Sequence, residues 1–160
     1  IFLAVDSEIS DTSESSAGTL AKDDYYLRFG GYDNGGDFSL LADARLAARL
    51  ARETRADETV YIYGGEPLAL FLANRRSPSR FVWNDPFLAG IFRDRYTTAD
   101  LIGELEAGRP AYVAVIRNDA NMVDPVDSLT HFERDARLRD YITQEYREVG
   151  WLEDFLLFRR

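Results

Sequence analysis

"VYIYGGEPLALFLANRRSPSRF", residues 60–81, is the stretch on which the fold turns. A β-branched and aromatic run is followed by a Gly-Gly break, a proline, an apolar segment, two arginines and a second aromatic run. Val, Tyr and Ile favour an extended, half-buried chain. Pro67 suits the first turn of a helix, where its missing N–H has no intrahelical partner to lose. A strand that breaks at glycine and feeds a helix is the opening of a βαβ unit. Gly64-Gly65 then has two readings: a cradle for a phosphate, or the tight turn that any such unit needs. The stretch lacks the third glycine of GxGxxG and the Lys-Ser/Thr of a P-loop. Glu66 before Pro67, and Asp85 before Pro86, also have the composition of helix starts that need no ligand.

The same alternation continues on both sides. "FSLLADARLAARLARET" (38–54) predicts an amphipathic helix with Leu41, Ala44, Ala48 and Ala51 on one face, Arg45, Arg49 and Arg52 beside it, and Asp37 as N-cap. "RFVWN" (80–84) reads as the next strand, and "TTADLIGELEAG" (97–108) as a helix from a Thr N-cap to a Gly C-cap. "AYVAVIR" (111–117) is a continuous apolar run, as expected of a central parallel strand. One long helix is predicted from Ser128 to about Tyr146, with Leu129, Phe132 and Ala136 on a stripe continued by Leu138, Tyr141 and Ile142. "REVGW" and "DFLLF" close the chain as a strand or hairpin. The expectation is an α/β fold: a mostly parallel twisted sheet with helices on both faces, Rossmann-like and three-layered, over residues 38–160. Residues 1–37 precede it as a Ser/Thr/acid-rich linker (6–24) and an aromatic, Gly-rich arm (25–37).

With 160 residues, 46% hydrophobic and 13% aromatic, the chain has the composition of one folded domain. A net charge of -9 argues against nucleic acid as a partner, which demands a basic footprint. The absence of cysteine removes disulfides and thiolate metal sites, and a single histidine makes a zinc site implausible. No metal or cofactor is expected. No run reaches the ~20 apolar residues of a membrane span, and the opening "IFLAV" (1–5) reads as the cut end of a longer apolar segment.

Ligands of open α/β sheets bind outside the carboxyl ends of the strands. Three such ends are readable: Gly64-Gly65-Glu66, Asn84-Asp85 and Asn118-Asp119. If their strands are neighbours, these groups converge on one edge, where carboxylates hold sugar hydroxyls or a cation. Arg75, Arg76 and Arg80 form a second candidate group, either clamping a phosphate or solvating a helix end. No nucleophile–base pair can be assembled, since every such arrangement rests on His131, and no Gly-x-Ser-x-Gly elbow exists. No catalytic residue is assigned.

"YYLRFGGYDNGGDFSLLADARLAARLARET", "VYIYGGEPLALFLANRRSPSRFVWNDP", "LEAGRPAYVAVIRNDA" and the closing "DFLLFRR" together resemble the C-terminal soluble region of bacterial polytopic GT-C-type glycosyltransferases. The group is the dolichyl-phosphate-mannose–protein mannosyltransferase-like family, and the likeness covers most of residues 25–160. The motifs fall at Tyr63 to Pro67, Phe71 to Phe81, Arg109 to Tyr112 and Phe158 to Arg160. The resemblance implies a domain on the extracytoplasmic (periplasmic) face of the membrane, joined to a membrane-embedded part of the same polypeptide. "IFLAV" would then be the tail of the last membrane helix. Family members transfer a sugar from a polyprenyl-phosphate carrier, and their catalytic carboxylates lie in a loop between the first membrane helices. The fragment would be an accessory domain that contacts the carrier or the acceptor glycan, or stabilises the membrane part. Two further readings stand beside it: a sugar- or anion-binding module, and a free-standing nucleotide-binding α/β enzyme.

Overall fold

The computed structural model describes residues 22–31, 38–84 and 95–160. Within them lie four strands, β1 (Val60–Tyr63), β2 (Tyr112–Ile116), β3 (Arg147–Leu152) and β4 (Phe155–Arg159), in one sheet of order β1-β2-β4-β3. The fold is α/β, as expected, but the sheet is mixed and not mostly parallel. β1 pairs parallel with β2, whereas β4 lies antiparallel to both β2 and β3. The closing hairpin causes the difference: a two-residue turn at Glu153-Asp154 forces β4 back beside β3, and β4 then takes the place next to β2.

β1 and β2 are buried on both sides along their whole length, which explains why both read as unbroken apolar runs. Their side chains alternate between two cores. Val60, Ile62, Tyr112, Ala114, Ile116, Phe155 and Leu157 meet helices α2 (Leu40–Glu53) and α3 (Pro67–Ala73). Tyr61, Tyr63, Val113, Val115 and Phe158 meet α4 (Thr98–Gly108), α5 (Ser128–Arg134) and α6 (Ala136–Glu145). A short helix, α1 (Lys22–Tyr26), falls within the sequence-predicted arm and linker; Asp23 ties it to Arg45 of α2 at 2.6 Å.

The helices keep their predicted places with changed faces and ends. α2 buries Leu41, Ala42, Leu46, Ala47 and Leu50, while Ala48 and Ala51 of the predicted stripe are exposed. Leucine buries more apolar area than alanine, so the leucine positions decide the rotation. Its N-cap is Ser39, whose Oγ accepts from the Ala42 N–H; Asp37 lies outside the described residues. Thr97 caps α4 in a reciprocal capping box with Asp100, but Gly108 is the last helical residue and the C-cap is Arg109, in the left-handed conformation. The long helix predicted from Ser128 is two, broken at Asp135, whose side chain accepts from the Leu138 N–H and so caps the second. Ala136 is exposed, and Phe132, Leu138 and Ile142 carry the burial.

"RFVWN" is not a strand. Pro78 has no N–H, and the next three N–H groups go to side chains: Ser79 to Ser77 Oγ at 3.1 Å, Arg80 to Glu104 Oε2 at 3.3 Å and Phe81 to Ser79 Oγ at 3.1 Å. No ladder can form from groups already taken. The segment instead runs irregularly along the outer edge of β1, from the bridge of Thr59 to Arg76 at one end to Asn84 at the other, and covers that edge.

Candidate functional site

Because β1 and β2 are parallel neighbours, their carboxyl ends meet, and Gly64, Asn84 and Asp119 come together there as the sequence pattern suggests. What they do there is bind the protein's own groups, Asn84 the end of β1 and Asp119 Ser128. Asn84 is 1% exposed and fully engaged: its Nδ2 donates to the carbonyls of Ile62 at 2.8 Å and Gly64 at 3.2 Å, and its Oδ1 accepts from the Tyr61 hydroxyl at 3.1 Å. Its backbone N–H also donates to Gly64 at 3.2 Å. Gly64 has φ +148°, and a Cβ there would stand 2.6 Å from Ile116 Cδ1 and 2.9 Å from Asp119 Oδ2. The glycine is required by close packing of its own neighbours. Gly65 continues the turn, and Glu66 starts α3 without capping it through its side chain.

Asp119 is 4% exposed and accepts twice from Ser128, from the N–H at 2.8 Å and the Oγ at 2.6 Å, at the start of α5. Asp127 caps the same helix by accepting from the Thr130 N–H at 2.9 Å. His131 of α5 meets Asp124 through Nε2 at 2.9 Å. Serine, histidine and carboxylates thus share one helix end, but the Ser128 proton is directed to Asp119 and the imidazole to Asp124. That wiring does not make a serine nucleophile activated by histidine. Tyr63 lies among these acids; burial first, then the charges of Asp135, Asp124 and Asp119, push its hydroxyl far above the ordinary tyrosine range, so it stays protonated.

Asn118, also predicted for this edge, turns toward the hairpin. It has φ +64° and donates from Nδ2 to Asp154 Oδ1 at 3.1 Å, beside the Arg117 Nε bond to the same oxygen at 3.1 Å. The Arg117 N–H donates to the Asp154 carbonyl at 3.0 Å. Asp85 lies outside the described residues. The arginine group is elsewhere. Arg75 and Arg76 stand at the opposite end of β1, where Val60 N–H donates to the Arg76 carbonyl at 3.0 Å. Arg75 donates to Thr54 Oγ1 at 2.7 Å and to the carbonyls of Thr54 and Ala73 at 2.8 and 2.9 Å, tying the ends of α2 and α3 together. Arg80 pairs with Glu104 at 2.5 Å and lies over the Tyr96 ring.

One group escaped the sequence reading. Asp43 sits on α2 among Ala42, Leu46, Ala47 and Leu50 and is 0% exposed. Among the described residues no N–H or O–H donates to either of its carboxyl oxygens. Its partner is the carboxyl of Glu66, 4% exposed. Two ionised carboxylates can only accept, so they bond only when one carries a proton. Burial first, then the Glu66 charge, then the hydrogen bond between them push the Asp43 carboxyl up to about 9, and it keeps its proton at neutral pH. The available signal was an acid in line with the apolar stripe of an amphipathic helix.

Among the described residues no cluster of three or more His, Cys, Asp or Glu is arranged to hold a metal ion. No described helix is long and apolar enough to cross a membrane. Comparison with protein-family models, with curated proteins and with solved structures gives no match to this chain.

Proposed function

We propose that this chain is an extracytoplasmic accessory domain of an integral-membrane glycosyltransferase that moves a sugar from a polyprenyl-phosphate donor, and that the chemistry is carried by the membrane part of the same polypeptide. The family resemblance of residues 25–160 supports the class. One observation supports the accessory role: at the carboxyl ends of β1 and β2, Asn84 is engaged with the β1 backbone and Asp119 with Ser128. Groups so engaged hold a scaffold together and are not poised to move a substrate proton. The Rossmann-like, three-layer description belongs to the same proposal, supported by the two cores on either side of a sheet that begins with a parallel pair.

The test is a transfer assay with a polyprenyl-phosphate sugar donor, run on the purified chain and on its membrane-embedded parent with and without residues 38–160. The chain alone gives no transfer, and removing the domain impairs the parent. Turnover by the isolated chain overturns the accessory role. A parent without multiple membrane spans overturns the family. A nucleotide-binding enzyme is the weaker alternative, since the Gly64-Gly65 turn lacks the third glycine of GxGxxG and the Lys-Ser/Thr of a P-loop, and close packing against Ile116 and Asp119 already accounts for Gly64. Anion binding has its own observation, at the other end of the sheet.

A further inference from the structure

An open-mouthed cavity of about 550 Å³ lies where α6 ends and the closing hairpin begins and finishes, and Glu145, Tyr146, Arg147, Arg159 and Arg160 are among the residues that line it. Arg147 and Arg159 are directly opposite in the β3–β4 ladder, so their side chains leave the same face of the sheet. Like charges in that position repel. Some arginines of this acidic chain hold carboxylates, as Arg80 holds Glu104 at 2.5 Å and Arg117 holds Asp154 at 3.1 Å. Arg147 and Arg159 hold none among the described residues, and Arg160 reaches Glu145 only at 4.0 Å.

Aromatic rings support two of the three guanidinium groups. Arg159 lies 5.6 Å from the centroid of the buried Tyr112 ring, and Arg160 lies 5.9 Å from that of the buried Tyr146 ring. Attraction to a ring at this distance spends none of a guanidinium's N–H donors on a carboxylate. Arg147 and Arg159 come from one face of the sheet and Arg160 from the other, and all three line the cavity at its end, with Glu145 the one acid among them; guanidinium donors converging from two sides are what a tetrahedral oxyanion needs. We propose that Arg147, Arg159 and Arg160 bind a phosphate group, carried by a soluble phosphate ester or by a lipid headgroup. The proposal does not depend on the glycosyltransferase reading, because binding is measured on this chain whatever its parent does.

The test titrates the isotope-labelled chain with inorganic phosphate and with glycerol phosphate at low, constant ionic strength, following amide shifts. Sedimentation with phosphatidylcholine vesicles, with and without phosphatidylglycerol, runs in parallel. The expected result is saturable shifts centred on residues 146–147 and 159–160, or sedimentation that requires the anionic lipid. The first outcome identifies a soluble ester and the second a headgroup. Arg147→Gln and Arg160→Gln each weaken binding about tenfold, as loss of one charged bidentate partner does, while Arg134→Gln on the exposed end of α5 does not. Arg147→Gln also raises the melting temperature without phosphate, because the repulsion with Arg159 is relieved, and loses the stabilisation that phosphate gives the parent chain. The proposal is overturned by shifts that chloride reproduces at equal ionic strength, by binding that survives the Arg147→Gln/Arg160→Gln double variant, or by no response in either arm. If Arg160→Gln only lowers stability and leaves the phosphate response intact, the arginines merely neutralise the end of α6 and the proposal fails.

Discussion

Asp43→Asn should stabilise this protein at neutral pH, and the gain should vanish in acid. In the folded chain Asp43 keeps its proton up to about 9, against an ordinary value of 3.8. Between those values the folded state binds one more proton than the unfolded state. Stability therefore falls as pH rises through the interval, by about 1.4 kcal/mol per pH unit. From about pH 4 to about pH 7 this amounts to roughly 4 kcal/mol, the free energy of keeping a carboxyl neutral in the fold when the open chain would ionise it. Asparagine has nearly the same shape, does not ionise, and offers an N–H to Glu66 in place of the shared proton. Allowing for relaxation around the pair, the variant should gain about 2–4 kcal/mol at pH 7 and less than about 1 kcal/mol at pH 4.

Urea unfolding of both chains at several pH values between those limits measures the difference directly. A carbon-detected titration of Asp43 gives the protonation midpoint independently. Glu66→Gln divides the causes: burial is the largest, so removing the Glu66 charge should lower the midpoint without returning it to 3.8. The reasoning is refuted if Asp43→Asn is less stable than the parent at pH 7, or if the difference between them does not change with pH.

Asn84→Ala should destabilise by about 2–4 kcal/mol in urea unfolding, because it leaves the Tyr61 hydroxyl and the Ile62 and Gly64 carbonyls buried and under-bonded. Gly64→Ala should cost about 1–3 kcal/mol by the same assay, since Ile116 and Asp119 must yield to a new Cβ. Glu53 is held down to about 2, first by the Tyr112 hydroxyl that donates to it at 2.5 Å, so its contribution is present above the ordinary carboxyl value and is lost as pH falls toward 2. Tyr112→Phe should therefore cost up to about 1 kcal/mol at neutral pH and nothing near pH 2, giving a shallower acid unfolding limb.

Local chemistry was legible in the sequence wherever neighbouring residues decide it. The β-rich run before Gly64, the proline that opens α3, and the threonine that caps α4 all report on their own surroundings. Strand direction and order are set by contacts between distant segments, so the apolar run of β2 announced a central strand without announcing that β4 would lie antiparallel beside it. "RFVWN" misled because its aromatic pattern suits a strand while Ser77, Ser79 and Glu104 take the N–H groups a strand needs, and one of those, Glu104, lies on α4. Gly64 and Asp119 follow the ends of neighbouring strands, as the polar strand ends suggested, whereas Asn84 reaches the same place from an irregular segment and not from a strand, and the partners that each takes depend on side-chain geometry. Asp43 was passed over because its partner lies a helix and a strand away, at Glu66.

The strand order also changes where a ligand can be expected. A doubly wound sheet opens a crevice at the carboxyl ends of its parallel strands because the connecting chain departs to either side. Here β4 begins at Phe155 directly beside the end of β2 at Ile116, so the hairpin turn occupies the place where that crevice would open. Arg117 and Asn118 then bind Asp154 of the turn, and on the other side Asn84 and Asp119 bind the ends of β1 and α5. The carboxyl end of the parallel pair is therefore closed by the protein's own groups. The antiparallel hairpin has its open end at the opposite edge of the sheet, where β3 begins at Arg147 and β4 finishes at Arg159. There Arg147 and Arg159 leave one face of the sheet and Arg160 the other, two of the three lie over aromatic rings, and the one carboxylate beside them among the described residues is Glu145, 4.0 Å from Arg160. Reversing one strand thus seals the expected crevice and moves the unsaturated polar groups to the other end, which is where binding experiments on this chain should look first.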